Sequence, residues 1–203
     1  MKKNKMMIVD GELKKIFRSK DYNFDFDKTN GNFMRWGKTT ASKDDPQFSP
    51  FGPEILDIEI SVNGCPNGTA VTSTIGPNGE IIPRENKSEC KFCYKNNTQA
   101  KPTNMTLDTF KTILNKMPRT LTQIAFGITG VQTNPDFLDM MWHARTNGII
   151  PNFTLSGKDL TDEMAEKCAK VIGAVAVSAM YGEKKIVKIR KLLLLRSRSK
   201  IPV

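Results

Sequence analysis

Ile55-Leu-Asp-Ile-Glu-Ile-Ser-Val-Asn-Gly-Cys65 is an apolar run that ends in a turn and a cysteine. With Glu89-Cys-Lys-Phe-Cys-Tyr-Lys95 it holds three of the chain's four cysteines. The alternating apolar residues predict a strand over 55–62. Thiolates are soft ligands for zinc and for iron–sulfur iron. Cys90 and Cys93, with two residues between them, are spaced to reach one metal centre.

Outward from this block the pattern is regular. Thr106 caps a predicted helix whose apolar positions are Leu107, Phe110, Leu114 and Met117, ending before Pro118. Strands are predicted over 123–129, 152–156 and 174–178, with a helix from Asn134-Pro135 to Gly148 and another over 161–171. Strands alternating with helices argue for right-handed β-α-β units on a parallel sheet, which places ligands at the carboxyl ends of its strands. Cys65 falls just beyond the first of those ends. Between Cys65 and Cys90, the turn Gly76-Pro-Asn-Gly79 joins two extended stretches, 70–75 and 80–82, as a hairpin. Loop closure costs only the logarithm of length, so a hairpin with adjacent ends can keep Cys65 near Cys90.

The organisation expected is therefore a polar N-terminal extension over 1–54, an α/β core over 55–180 with a hairpin insertion at 66–89, and a basic C-terminal helix or tail over 181–203. Within the extension, Asp21 to Asp27 alternates like a short strand, and Ser42 to Pro53 reads as an irregular linker. The chain has 203 residues and a net charge of +10. Residues 184–203 carry eight Lys or Arg and no acid, and residues 1–20 carry seven against two acids, so the middle is slightly acidic. That distribution argues against a core that grips a phosphate backbone and leaves nucleic-acid binding to the basic C-terminus. Neither a signal-peptide core nor a membrane-length apolar run is present, so a cytoplasmic protein with reduced thiols is expected.

The cysteine block and the strand–helix alternation resemble the radical S-adenosylmethionine (radical SAM) enzymes. In that family three cluster cysteines follow the first strand of a partial (β/α) barrel as Cys-x3-Cys-x-aromatic-Cys. Cys90-Lys91-Phe92-Cys93 matches the second half, while 24 residues rather than three separate Cys65 from Cys90. The resemblance implies a partial barrel of about four βα units and a [4Fe-4S] cluster on Cys65, Cys90 and Cys93. It also implies S-adenosyl-L-methionine as cofactor, cleaved reductively to a 5′-deoxyadenosyl radical that acts on an unknown substrate. An electron donor such as a flavodoxin or ferredoxin would be a partner. Phe92 takes the aromatic position beside the adenine. Thr129-Gly-Val-Gln132 stands where the family often has Gly-Gly-Glu-Pro, which puts Gly130 and Gln132 at the methionyl amine with a neutral side chain in place of the acid. Ser156 takes a ribose position, and Ser178 one used for the carboxylate or ribose. The family usually has six strands and four are read here, so a fragment or a diverged C-terminal part is expected.

An alternative is a non-enzymatic zinc module whose basic ends bind nucleic acid. Cys65, Cys90 and Cys93 would supply three ligands, and His143 or Cys168 the fourth. Cys168 shares a helical stripe with Met164, Val171 and Ile172 and reads as a core thiol. His143 reads as a residue near a helix carboxyl end.

Overall fold

The computed structural model describes residues 6–39, 44–68, 73–83, 93, 95 and 97–177. Expectations for Cys90, Phe92, Ser178 and the basic C-terminus fall outside the described residues.

Residues 6–36, expected to hold one short strand, form an antiparallel meander instead. Its strands are β1 (Met6–Asp10), β2 (Lys14–Ser19), β3 (Asn23–Asp27) and β4 (Phe33–Trp36). Period-two alternation turns Phe17, Phe24 and Phe26 to one face, where with Tyr22 they make a fully buried cluster. Phe17 stacks on Phe24 at 5.1 Å, and Phe51 meets Phe17 edge-on at 5.2 Å. Burying each such ring stabilises by roughly 1.5–3 kcal/mol, which a polar extension could not supply.

The rest comprises β5 (Ile55–Glu59), β6 (Ser61–Val62), β7 (Ser73–Ile75), β8 (Ile81–Pro83), β9 (Thr103–Asn104), α1 (Leu107–Leu114), β10 (Gln123–Gly127), α2 (Phe137–Thr146), β11 (Ile150–Leu155), α3 (Asp162–Ala169) and β12 (Val175–Val177). β5, β10, β11 and β12 lie side by side in that order, and every pair is parallel. Ile58, Phe126 and Phe153 point to one face, where they share a core with Phe110 and Leu114 of α1, Phe137 and Met141 of α2, and Ala165 and Cys168 of α3. All three helices therefore pack on the same face. The other face carries Asp57, Glu59, Ala125, Gly127 and Thr154.

The strand expected over 55–62 is divided. Ile60 donates to Gly127 O at 2.9 Å, and its carbonyl then leaves the sheet to accept from Met105 N and Asn134 Nδ2. Ser61 and Val62 pair antiparallel with β9. Thr106 caps α1 as expected, Thr161 caps α3 rather than opening it, each hydroxyl accepting a backbone N–H at 3.2 Å, and Gly148 (φ +74°) closes α2. α2 begins at Phe137 rather than Pro135, because the Asn134 side chain is engaged by Ile60 O, Met105 O and Asp136 N. The insertion is the expected hairpin, with β7 and β8 antiparallel around Gly76-Pro-Asn-Gly79.

The meander packs at the amino ends of the parallel strands. Ile150, the first residue of β11, is buried in its aromatic cluster, and Lys15 Nζ donates to Leu121 O at 2.6 Å, just before β10. The carboxyl ends are left to the segments that carry Cys65 and Cys93. No helix among the described residues is long and apolar enough to cross a membrane.

Candidate functional site

Asn63 and Gly64 both take φ of +61°, two successive left-handed residues that turn the chain sharply before Cys65. Asparagine and glycine adopt this conformation at least cost. The turn is fixed from two sides. Asn63 N donates to Asn97 Oδ1 at 3.0 Å, and Asn63 Oδ1 accepts from both Thr98 N and Thr98 Oγ1 at 3.3 Å. Gly64 N and Cys65 N continue the pairing to Ala100 O and Thr98 O. From the other side Thr129 Oγ1 donates to Asn63 O, and Thr133 Oγ1 to Gly64 O. The backbones approach so closely that a Cβ on Gly68 would lie 2.8 Å from Gln99 N.

This clasp joins the chain just before the hairpin insertion to residues 97–100 after it. Cys65 and Cys93 line a single cleft of about 830 Å3 at the carboxyl ends of β5, β10 and β11. That volume falls within the roughly 300–1,000 Å3 typical of ligand pockets. Asp57, Glu59, Thr129 and Ser156 also border it. Lys95, two residues after Cys93, forms an ion pair with Glu59 at the end of β5 and so ties the Cys93 arm to the sheet. Gly127, beside Glu59 in register, leaves the space: a Cβ there would stand 3.2 Å from Lys95 Nζ.

Of the residues expected to contact a cofactor, Ser156 borders the cleft, and its hydroxyl accepts from Lys158 N at 3.3 Å. Gly130 and Gln132 do not line it. Gly130 is buried against Pro66, Thr133 and Asp159. Gln132 is exposed, and its Nε2 donates to Asp159 O at 2.7 Å while its backbone N donates to Asp159 Oδ2 at 3.2 Å.

The two candidate fourth zinc ligands are also away from the cleft. His143 lies in the last turns of α2, edge-on to Phe110, and α2 leads into the amino end of β11. Cys168 is fully buried in the last turn of α3, which leads to the amino end of β12. Burial, with a smaller contribution from the charge of Asp159, pushes its thiol up to about 12. A thiol so held is a packing group, as its helical stripe predicts. Among the described residues, which exclude Cys90, no three His, Cys, Asp or Glu side chains gather as a metal site.

Asn63, Asn97, Thr98 and Glu59 have no counterpart among the expected site residues. Two parts of the clasp carry a local signal, the Asn-Gly turn at 63–64 and the Asn-Asn-Thr run at 96–98, but nothing in the sequence pairs them. The chain matches no family model, no curated protein and no solved structure.

Proposed function

We propose that the chain is an iron–sulfur protein of radical SAM type, with a [4Fe-4S] cluster on Cys65, Cys90 and Cys93 and S-adenosyl-L-methionine in the adjoining cleft. The observation that carries this reading is that Cys65 and Cys93, from opposite sides of a hairpin insertion, line one cleft at the carboxyl ends of a parallel sheet. Soft thiolates at that end of a β/α sheet suit an iron–sulfur cluster. The sequential strand order with helices on one face supports a partial barrel, since a doubly wound sheet would carry helices on both.

When bound, the cluster would supply the electron that cleaves the sulfonium, and a flavodoxin or ferredoxin in the cytoplasm would replenish it. The chain's own residues do the positioning. The Asn63–Thr98 clasp sets the backbone of Cys65, the Lys95–Glu59 pair holds the Cys93 arm, and Ser156 offers a hydroxyl at the cleft edge. Gln132 cannot serve the methionyl amine as an acid would, so that contact is assigned to no residue here.

Anaerobic reconstitution with iron and sulfide tests the reading. It should yield a brown protein with about four irons per chain, following the three-cysteine ligation. Cys65→Ala, Cys90→Ala and Cys93→Ala should each lose most of that iron. A colourless protein that retains one zinc after the same treatment would replace the proposal with the zinc module.

A further inference from the structure

We infer that Asp57 sets the charge specificity of the cleft by pairing with a protonated amine or guanidinium on the substrate, an inference that rests on reading this cleft as the reaction site. Asp57 and Glu59 project from β5 on the face away from the helices, and both border the cleft. In register, Ala125 stands beside Asp57 and Gly127 beside Glu59. These are the two smallest residues: Gly127 makes room for Lys95 against Glu59, and Ala125 leaves the neighbouring strand without a side chain that could cover Asp57.

The two acids differ in their partners. Glu59 is neutralised by Lys95. Asp57 is exposed and forms no hydrogen bond or ion pair among the described residues. With Lys95 engaged, the described lining retains one uncompensated charge, and it is negative. A concave site lined by one sign of charge concentrates the opposite ion, and a charge-assisted hydrogen bond to a carboxylate is about twice as strong as a neutral one. Among the described residues of the lining, an anionic substrate would meet Asp57 with no unengaged cation to receive it.

The test uses the intact, metal-free chain and two probes of equal length, n-pentylammonium and pentan-1-ol, titrated in low-salt buffer and followed by NMR. The ammonium is expected to bind more tightly than the alcohol. Asp57→Asn, an exposed substitution that leaves the fold intact, should weaken ammonium binding about tenfold, equivalent to about 1.4 kcal/mol, and leave the alcohol unaffected. Equal binding of the two probes, no binding of the ammonium, or undiminished binding by Asp57→Asn overturns the proposal. Iron uptake measured in parallel keeps the two readings apart. A parent chain that takes up no iron sinks the cluster, while the probe titration still decides the role of Asp57.

Discussion

Lys95 reaches across the end of the parallel sheet to pair with Glu59, and Gly127 leaves the gap through which it passes. The link spans 36 positions of sequence and holds the arm that carries Cys93 against β5. Its energy is modest, since Glu59 is 37% exposed and solvent screens the pair. Its importance is positional: it ties the Cys93 arm to β5 at a point outside the clasp at 97–100.

Lys95→Met should therefore cost no more than about 1 kcal/mol of stability yet expose Cys93. Alkylation of Cys93, read by mass spectrometry of the native protein, should quicken several-fold while Cys168 stays unmodified. Reversing the pair as Glu59→Lys with Lys95→Glu should restore slow alkylation. A rate equal to the parent's in Lys95→Met would show that the ion pair does not hold the arm.

Gly68→Ala tests the clasp itself. The added methyl would sit 2.8 Å from Gln99 N, and backbone cannot retreat as a flexible side chain can. Destabilisation of about 1–3 kcal/mol is expected, as for overpacking elsewhere. It should appear as a lower midpoint in urea with an unchanged slope.

Asn63 separates two contributions at the same turn. Asn63→Gly preserves the left-handed backbone but removes the acceptor for Thr98, whereas Asn63→Ala also incurs the cost of a Cβ at φ +61°. The alanine variant should be the less stable by about 1 kcal/mol in chemical denaturation. Equal stability of the two would mean that the turn's conformation is not what Asn63 contributes.

The parallel core is legible in the sequence because its signals are local. Buried strands appear as short apolar runs, and Thr106, Thr161 and Gly148 mark helix ends within a few residues. The meander is hidden because β2 reads Lys-Lys-Ile-Phe-Arg-Ser, with a lysine on the inward face. Lys15 is tolerated there by Leu121 O, 106 positions away, and by Asp10, and no window of sequence shows such partners. The site follows the same rule. The turn Gly76-Pro-Asn-Gly79 predicts adjacent hairpin ends, but the clasp and the Lys95–Glu59 pair join residues of types common on any surface. Gln132 illustrates the converse: its substitution for an acid is readable, while its engagement with Asp159, 27 positions on, is not.

Cys168 predicts a pH dependence that can be isolated. Its thiol has an ordinary value of 9.0 and is raised to about 12 in the folded protein by burial. The folded state therefore holds a proton that the unfolded state releases, and stability falls as pH rises from about 9 towards 12. Tyr22, raised by burial and by its hydrogen bond to Glu54, acts in the same direction at higher pH. Lys15, lowered by burial, acts in the opposite direction, since its folded form binds fewer protons. Comparing the parent with Cys168→Ala cancels both. The variant loses packing by a pH-independent amount, but the gap between the two proteins should narrow above pH 9, with a limiting slope of about 1.4 kcal/mol per pH unit. Urea unfolding at pH 8, 9 and 10 measures it. A gap constant across that range would mean that the Cys168 thiol ionises as readily in the folded chain as in the unfolded one, and that its burial does not hold the proton.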